Sequence, residues 1–375
     1  MLNQELPKYL AVYEWLKENI ENSTFNVGEK LISENQLCEK FSISRQTVRQ
    51  AIAVLEQDGY VNRKRGSGTF INSVKSNNKK LYRNIALLTT YSSEYIFPNL
   101  ISGVAETLSK HDYNFTLRLT NNKATEERSQ LLSLLDAEID GLIVEGTKSA
   151  LPNPNLDLYK KFQEKHFPVV FINGFYHNLD FNYIINNDAE GARMAIRHLV
   201  KKGHEQIGGI FKLDDMQGHE RYKGFLKEIQ AQEIAFDESN ILWYSTEIAD
   251  HLFAEEQIPF LLKIFKDCTA ILCYNDQVAL RLIQLFANTF FKIPSDISII
   301  SFDDSSICEI TSPTLTSITH PGKELGSLAA ESLLSIIEDP QLKIQHIFEP
   351  KLIERKSVQQ LNVLEDKDGE LLPAK

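Results

Sequence analysis

Apolar positions near the start of the chain recur at helical spacing. Tyr9, Tyr13, Leu16 and Ile20 lie 4, 3 and 4 residues apart, which predicts a helix from Leu6 to Asn22. Pro7 suits its first turn, and Asn26, Val27 and Gly28 interrupt the pattern. Ser33 followed by Gln36 has the spacing of a capping box, opening a short helix through Phe41 with Leu37 on its apolar side. Ser44 is a suitable N-cap for a third helix to about Asp58. Val48, Ala51, Ile52 and Leu55 form its inward stripe, and Gly59 stops it. Two β-prone runs between Tyr60 and Ile71 flank a basic Gly-Ser-Gly turn, the pattern of a hairpin.

Ser73 to Lys80 is polar, basic and aperiodic, as expected of a linker. Beyond it, short apolar runs alternate with amphipathic stretches. Strands are expected at Ile85–Thr90, Phe115–Thr120, Gly141–Glu145, Val169–Asn173, Tyr183–Asn186, Ile207–Phe211, Ile241–Tyr244, Ala270–Tyr274 and Ile297–Phe302. Helices fall between most of them, among them Asn99–Lys110, Ala189–Lys202 and Asp276–Phe291. Repeated strand–helix units imply parallel sheets covered on both faces, and about 290 residues suit two such lobes. The expected division is 1–72, a linker at 73–83, and 84–375.

The charge of −11 is uneven: residues 1–80 carry +3 and the remainder −14. Lys40, Arg45, Arg49, Arg63, Lys64 and Arg65 concentrate the positive charge, which suits a local anionic partner. Arg45, Gln46, Thr47, Arg49 and Gln50 occupy the first turns of the third helix, mostly off its apolar stripe. A helix fits the major groove, where Arg bonds guanine and Gln adenine in bidentate fashion. The hairpin's Arg and Lys would meet phosphate or a minor groove.

These linked features resemble the winged helix-turn-helix of the GntR superfamily. The matching stretches are Val27-Gly28-Glu29-Lys30-Leu31-Ile32-Ser33-Glu34, Ser44-Arg45-Gln46-Thr47-Val48-Arg49-Gln50-Ala51 and Gly66-Ser67-Gly68-Thr69-Phe70. Val27 and Ile32 stand where that family often has Pro, and Ser42 where it often has Gly. The resemblance implies double-stranded operator DNA as a partner. Its contacts would come from Lys8, Ser33, Ser44, Arg45, Gln46, Thr47 and Arg49, and from Arg63, Lys64, Arg65, Gly66, Gly68 and Thr69 on the wing.

Residues from about 84 to 360 resemble the ligand-binding domain of LacI/GalR regulators, a two-lobed type I periplasmic-binding-protein-like α/β fold. The carrying motifs include Ile139-Asp140-Gly141-Leu142-Ile143-Val144, His198-Leu199-Val200-Lys201-Lys202-Gly203-His204, Arg221-Tyr222-Lys223-Gly224-Phe225 and Ser301-Phe302-Asp303-Asp304. A GntR-type head on a LacI-type body resembles a family of arabinose-responsive repressors. The resemblance implies a homodimer that a small sugar, L-arabinose first among them, releases from DNA, with no cofactor and no metal.

A sugar site needs carboxylates, amides and Arg converging from both lobes over an aromatic face. Strand ends supply Tyr91, Glu145, Lys148 and Asn173 in the first lobe; Arg221, Asn275 and Asp303 are expected at strand or helix ends of the second, with Asp188 at the crossing. The resemblance implies effector roles for Asp188, Arg221, Asn275 and Asp303. Structural roles compete: Asp188 and Asp276 as helix caps, Asp303 as a turn residue, Lys148 as a surface partner of Glu145. Trp243 and Tyr244 are candidates for stacking or for the core. Lys148 and Arg221 leave a phosphorylated sugar open.

Other classes fit poorly. Hydrophobic residues at 42% and charged residues at 24% are ordinary globular usage. There is no G-x-x-x-x-G-K-[ST], G-x-S-x-G or H-E-x-x-H pattern, and the nine His show no metal spacing. The aminotransferase-like bodies found behind some GntR heads resemble nothing here. Glu5 and Pro7 stand where an export signal needs apolar residues, and Cys38, Cys268, Cys273 and Cys308 are scattered, so a cytoplasmic chain with no membrane span is expected.

Overall fold

A computed structural model describes residues 7–21, 24–26, 28–64, 67–72, 81–93, 96–361, 364–365 and 371–372. Contacts divide the chain into two units, Met1–Leu81 and Tyr82–Lys375.

The first unit holds α1 (Lys8–Glu21), α2 (Glu34–Phe41), α3 (Arg45–Gln57), β1 (Val61–Lys64) and β2 (Gly68–Ile71). Val12, Leu16, Leu37, Val48, Ala51 and Leu55 are fully buried, so the stripes read from the sequence meet in one core. Pro7 stands just ahead of α1 rather than in its first turn, where its carbonyl accepts from Leu10 N at 2.8 Å. Ser42 (φ 52°) ends α2 in the left-handed region, and Gly59 (φ 81°) follows α3. β1 and β2 pair antiparallel, Val61 opposite Ile71 and Lys64 opposite Gly68. Leu31 N donates to Thr69 O at 2.8 Å, tying the segment before α2 to the hairpin.

The second unit contains two six-stranded sheets. Its strands are β3 (Asn84–Thr89), β4 (Asn114–Leu119), β5 (Gly141–Glu145), β6 (Val169–Ile172), β7 (Asn182–Asn186), β8 (Ile207–Lys212), β9 (Ile241–Tyr244), β10 (Ala270–Leu272), β11 (Ser298–Asp303), β12 (Thr316–Thr319), β13 (Gln345–Phe348) and β14 (Leu352–Ile353). The first sheet runs β13-β7-β6-β5-β3-β4, parallel throughout. The second runs β14-β12-β11-β10-β8-β9, parallel except for β12 with β14. Near-continuous apolar strands such as Leu142-Ile143-Val144 are buried on both faces, as parallel sheets require.

The chain passes between the lobes three times: after β7, after β12 and between β13 and β14. The helix Gly322–Glu338 therefore returns to the first lobe and packs on Phe97–Lys110. A Cβ at Gly103 would stand 2.1 Å from Lys323 O, and one at Gly326 2.2 Å from Leu100 O, so these glycines let the helices touch. The helix expected to reach Phe291 ends at Ala287; Thr289 Oγ1 donates to Phe286 O at 2.8 Å and closes its last turn.

Candidate functional site

In the head, Ser33 caps α2: Gln36 N donates to Ser33 Oγ at 3.3 Å and Ser33 N to Gln36 Oε1 at 2.9 Å. Ser44 caps α3, accepting from Thr47 N at 3.2 Å. This capping fixes the first turn of α3, which exposes Arg45, Gln46 and Arg49 while Thr47 is half-buried. Arg45 and Arg49 converge on one carboxylate, their Nε atoms 2.9 and 3.0 Å from Glu34 Oε2. Burial raises the Glu34 carboxyl, but the hydrogen bonds from Arg45 and Arg49 outweigh it and leave its pKa below the ordinary value. One carboxylate of α2 thus holds both guanidiniums, which stay exposed at 62% and 59%. Glu34 stood inside the quoted motif, but its role shows only in three dimensions.

Lys8 is exposed at the start of α1. Arg63 pairs with Glu56 at 3.4 Å, and Lys64 lies over the Phe70 ring at 5.1 Å. Gly68 (φ 118°) opens β2 with Thr69 beside it. Arg65 and Gly66 fall outside the described residues, as does most of the expected linker.

The second site is a cavity of about 330 Å³ between the lobes. It lies at the carboxyl ends of the strands, where ligands sit in such folds. Of the residues singled out from the sequence, Tyr91, Glu145, Asn173, Arg221, Asn275 and Asp303 line it, Arg221 from inside the helix Met216–Ala231 rather than from a chain-element end. Arg221 Nε lies 2.8 Å from Asp188 Oδ1 and its Nη2 3.4 Å from Asp303 Oδ1. Burial alone would lower the Arg221 pKa, but Asp188 and then Asp303 hold the guanidinium charged. Its plane also faces the Phe302 ring at 4.1 Å. Asp303 (φ 101°) and Asp304 (φ 45°) are both in the left-handed region. Ser317 Oγ accepts from Asp304 N at 3.1 Å, and Arg355 pairs with Asp304 at 2.7 Å, which holds that strained turn.

Two expected site residues stand elsewhere. Asp188 does not line the cavity but sits behind Arg221, steering it. Lys148 pairs across the lobes with Glu247, not with Glu145. Glu145 is occupied from within its own lobe, accepting from Thr90 N at 2.9 Å and Asn173 Nδ2 at 2.8 Å. Burial pushes its pKa up. The helix caps are Asn187 and Asn275 rather than Asp188 and Asp276. Asp276 is instead a buried hub that accepts from Ser305 N and Ser317 Oγ, each at 2.8 Å. Tyr244 faces the cavity, whereas Trp243 packs on Phe211 and Tyr222 because neighbouring strand residues point to opposite faces.

Lys212, Asp215 and Tyr274 also line the cavity and were not singled out from the sequence. Lys212 Nζ lies 2.8 Å from Asp215 Oδ2, and Tyr274 OH donates to the same oxygen at 3.0 Å. Lys212 ended an apolar run and Asp215 opened a helix, so strand-end position was their available signal. Among the described residues no group of His, Cys, Asp and Glu could hold a metal ion, and no helix is long and apolar enough to cross a membrane.

A DNA-reading head joined to a two-lobed ligand domain defines a one-component transcription regulator. Residues 8–71 match the gntR family of bacterial regulatory proteins, and residues 196–358 a periplasmic binding protein-like domain. The chain is 39% identical over 366 residues to an arabinose metabolism transcriptional repressor of Halalkalibacterium halodurans, covering 93% of this chain and 96% of that one. It is 36% identical to its counterpart in Geobacillus stearothermophilus, covering 96% and 100%. The chain belongs to the family of arabinose metabolism transcriptional repressors. Among solved structures, a CelR–cellobiose complex aligns with a TM-score of 0.65 at 20% identity, covering 84% of this chain and 91% of that one. A LacI-type regulator of Alkaliphilus metalliredigens complexed with D-xylulofuranose aligns at 0.62 and 26%, covering 74% and 99%.

Proposed function

We propose that this repressor acts as a cytoplasmic homodimer that holds operator DNA through α3 and the wing, and lets go when L-arabinose fills the cleft. The observation that carries the choice of a neutral sugar is charge balance. Lys212 is matched by Asp215, Arg221 by Asp188 and Asp303, and Arg281 at the rim by Asp250 at 2.8 Å. A phosphate would have to displace buried carboxylates and would face Glu145 besides, at a cost a neutral polyol avoids. Hydroxyls can bridge the paired groups as donors and acceptors at once. The relatives' names and the D-xylulofuranose of one aligned structure favour a pentose over the disaccharide of the other. The exposed apolar side chains Phe260, Phe290 and Ile310, on helices and loops covering one face of the second sheet, support pairing with a second copy. Two heads would then read two half-sites of a near-palindrome.

The test is a panel of pentoses, hexoses and phosphosugars titrated against a labelled operator complex of the full chain. L-Arabinose should dissociate the complex at the lowest concentration. Release by a phosphosugar alone would defeat the charge argument, and sedimentation of the free chain as a monomer would defeat the dimer.

A further inference from the structure

The three crossovers all leave from one edge of each sheet: β7 and β13 in the first lobe, β12 and β14 in the second. Away from those edges, after β4 and β5 in the first lobe and after β8 and β9 in the second, the lobes are joined by direct hydrogen bonds and an ion pair. Asn122 is central. Its Oδ1 accepts from Lys148 N at 2.8 Å within the first lobe. Its Nδ2 crosses to Asp214 Oδ2 at 3.2 Å and Thr246 Oγ1 at 2.7 Å. Thr246 N donates to the same Asp214 oxygen at 3.2 Å. Lys148 Nζ pairs with Glu247. Ala150 N reaches Asp214 O at 3.3 Å, and Met216 N donates to Ser149 Oγ at 2.9 Å.

Asn122 and Asp214 are about as buried as core residues, at 1% and 0% exposure. Asn122 (φ 52°) and Lys148 (φ 46°) both hold left-handed backbone to reach across, a local cost the cross-lobe bonds must offset. Asp214 Oδ1 is buried with no hydrogen-bond partner among the described residues. That oxygen costs free energy while the lobes are together and less once water reaches it, so it opposes the cross-lobe bonds and limits how firmly the far side stays shut. The cluster also abuts the cavity, since Asn122, Ser149 and Thr246 belong to its wall.

We propose that Asn122, Lys148, Asp214, Thr246 and Glu247 form a latch, opposite the hinge, that sets how far the empty sensor is already closed. This rests on the cleft being a sugar site. A ligand that binds the closed form appears weaker by the fraction of molecules that are closed without it. The latch therefore sets the sugar concentration at which DNA is released through the closed fraction, and its Lys148–Glu247 pair does so from outside the cavity wall.

The test uses Lys148→Glu, Glu247→Lys and the doubly exchanged chain, because neither residue lines the cavity. L-Arabinose affinity is measured by calorimetry on the full chain. Each single exchange should weaken it by about three- to tenfold, through a lost pair and a new like-charge contact. The double exchange should return it to within about twofold of the starting value. Unchanged singles, or a double that stays weak, would overturn the latch. Small-angle scattering of the sugar-free chain gives a second readout: the singles should be more extended and the double should not. If the unaltered chain binds no sugar at all, the sugar assignment falls, and scattering alone still decides the latch.

Discussion

Asp303 and Arg221 face the same cavity, yet removing them has different consequences. Asp303 reaches Arg221 at 3.4 Å, while Asp188 holds Arg221 at 2.8 Å from behind. Asp303→Asn keeps shape and leaves the Arg221–Asp188 pair intact. The expected result is a repressor that binds operator normally and no longer responds to sugar, read by operator titration with and without L-arabinose. A normal response would place the sugar elsewhere. Arg221→Ala instead leaves two buried carboxylates without their cation. Breaking a buried pair on one side costs about 3–5 kcal/mol, so this variant should show a lowered unfolding midpoint before any question of binding arises. Stability equal to that of Asp303→Asn would contradict the buried network.

At the scale of elements, α3 depends on its cap and on the carboxylate beside it. Ser44→Ala removes the acceptor for Thr47 N, and should cost about 1 kcal/mol of head stability. Arg49→Ala should cost about 1–3 kcal/mol of operator affinity and relax sequence preference, while leaving sugar affinity unchanged. Competition between operator and random duplex would show this; an unaltered preference would remove Arg49 from the reading set. The head's three helices and hairpin were legible because capping residues and a 3.6-residue stripe are local signals. The first lobe's strands were legible as apolar runs. β12, with the polar sequence Thr316-Ser317-Ile318-Thr319, was not, because its burial comes from neighbours distant in sequence. Position at a strand or helix end placed Glu145, Asn173, Asn275 and Asp303 in the cavity wall. It could not tell a side chain that faces the cavity from one that pairs beside or behind it, which is why Lys148 and Asp188 stand outside its wall. Lys212 was missed because an apolar run conceals that its last residue turns polar at the cleft.

For the whole molecule, buried titratable groups set how stability varies with pH, and they act with opposite signs. His198, His204 and His320 are held below their ordinary value by burial. Their unfolded forms take up protons first, so stability present at neutral pH is lost as pH falls below about 6.5, by up to about 1.4 kcal/mol per unit for each. Asp188, raised by burial to about 6, works the other way: the folded form binds its proton more tightly, so stability rises as pH falls through that region. Glu145 and Asp276 are raised by burial too and add to the same side. The expected profile declines from pH 6.5 and becomes shallower below pH 6. Urea midpoints of the second unit, followed through Trp243 in a Trp15→Phe chain, should trace it. His204 bridges Thr269 at 2.9 Å and Gln359 O at 3.0 Å, so His204→Gln should keep much of the bonding and flatten the first part of the decline. A midpoint that climbs steadily between pH 7 and 6, or a His204→Gln profile parallel to the original, would show that these histidines are not the groups that titrate.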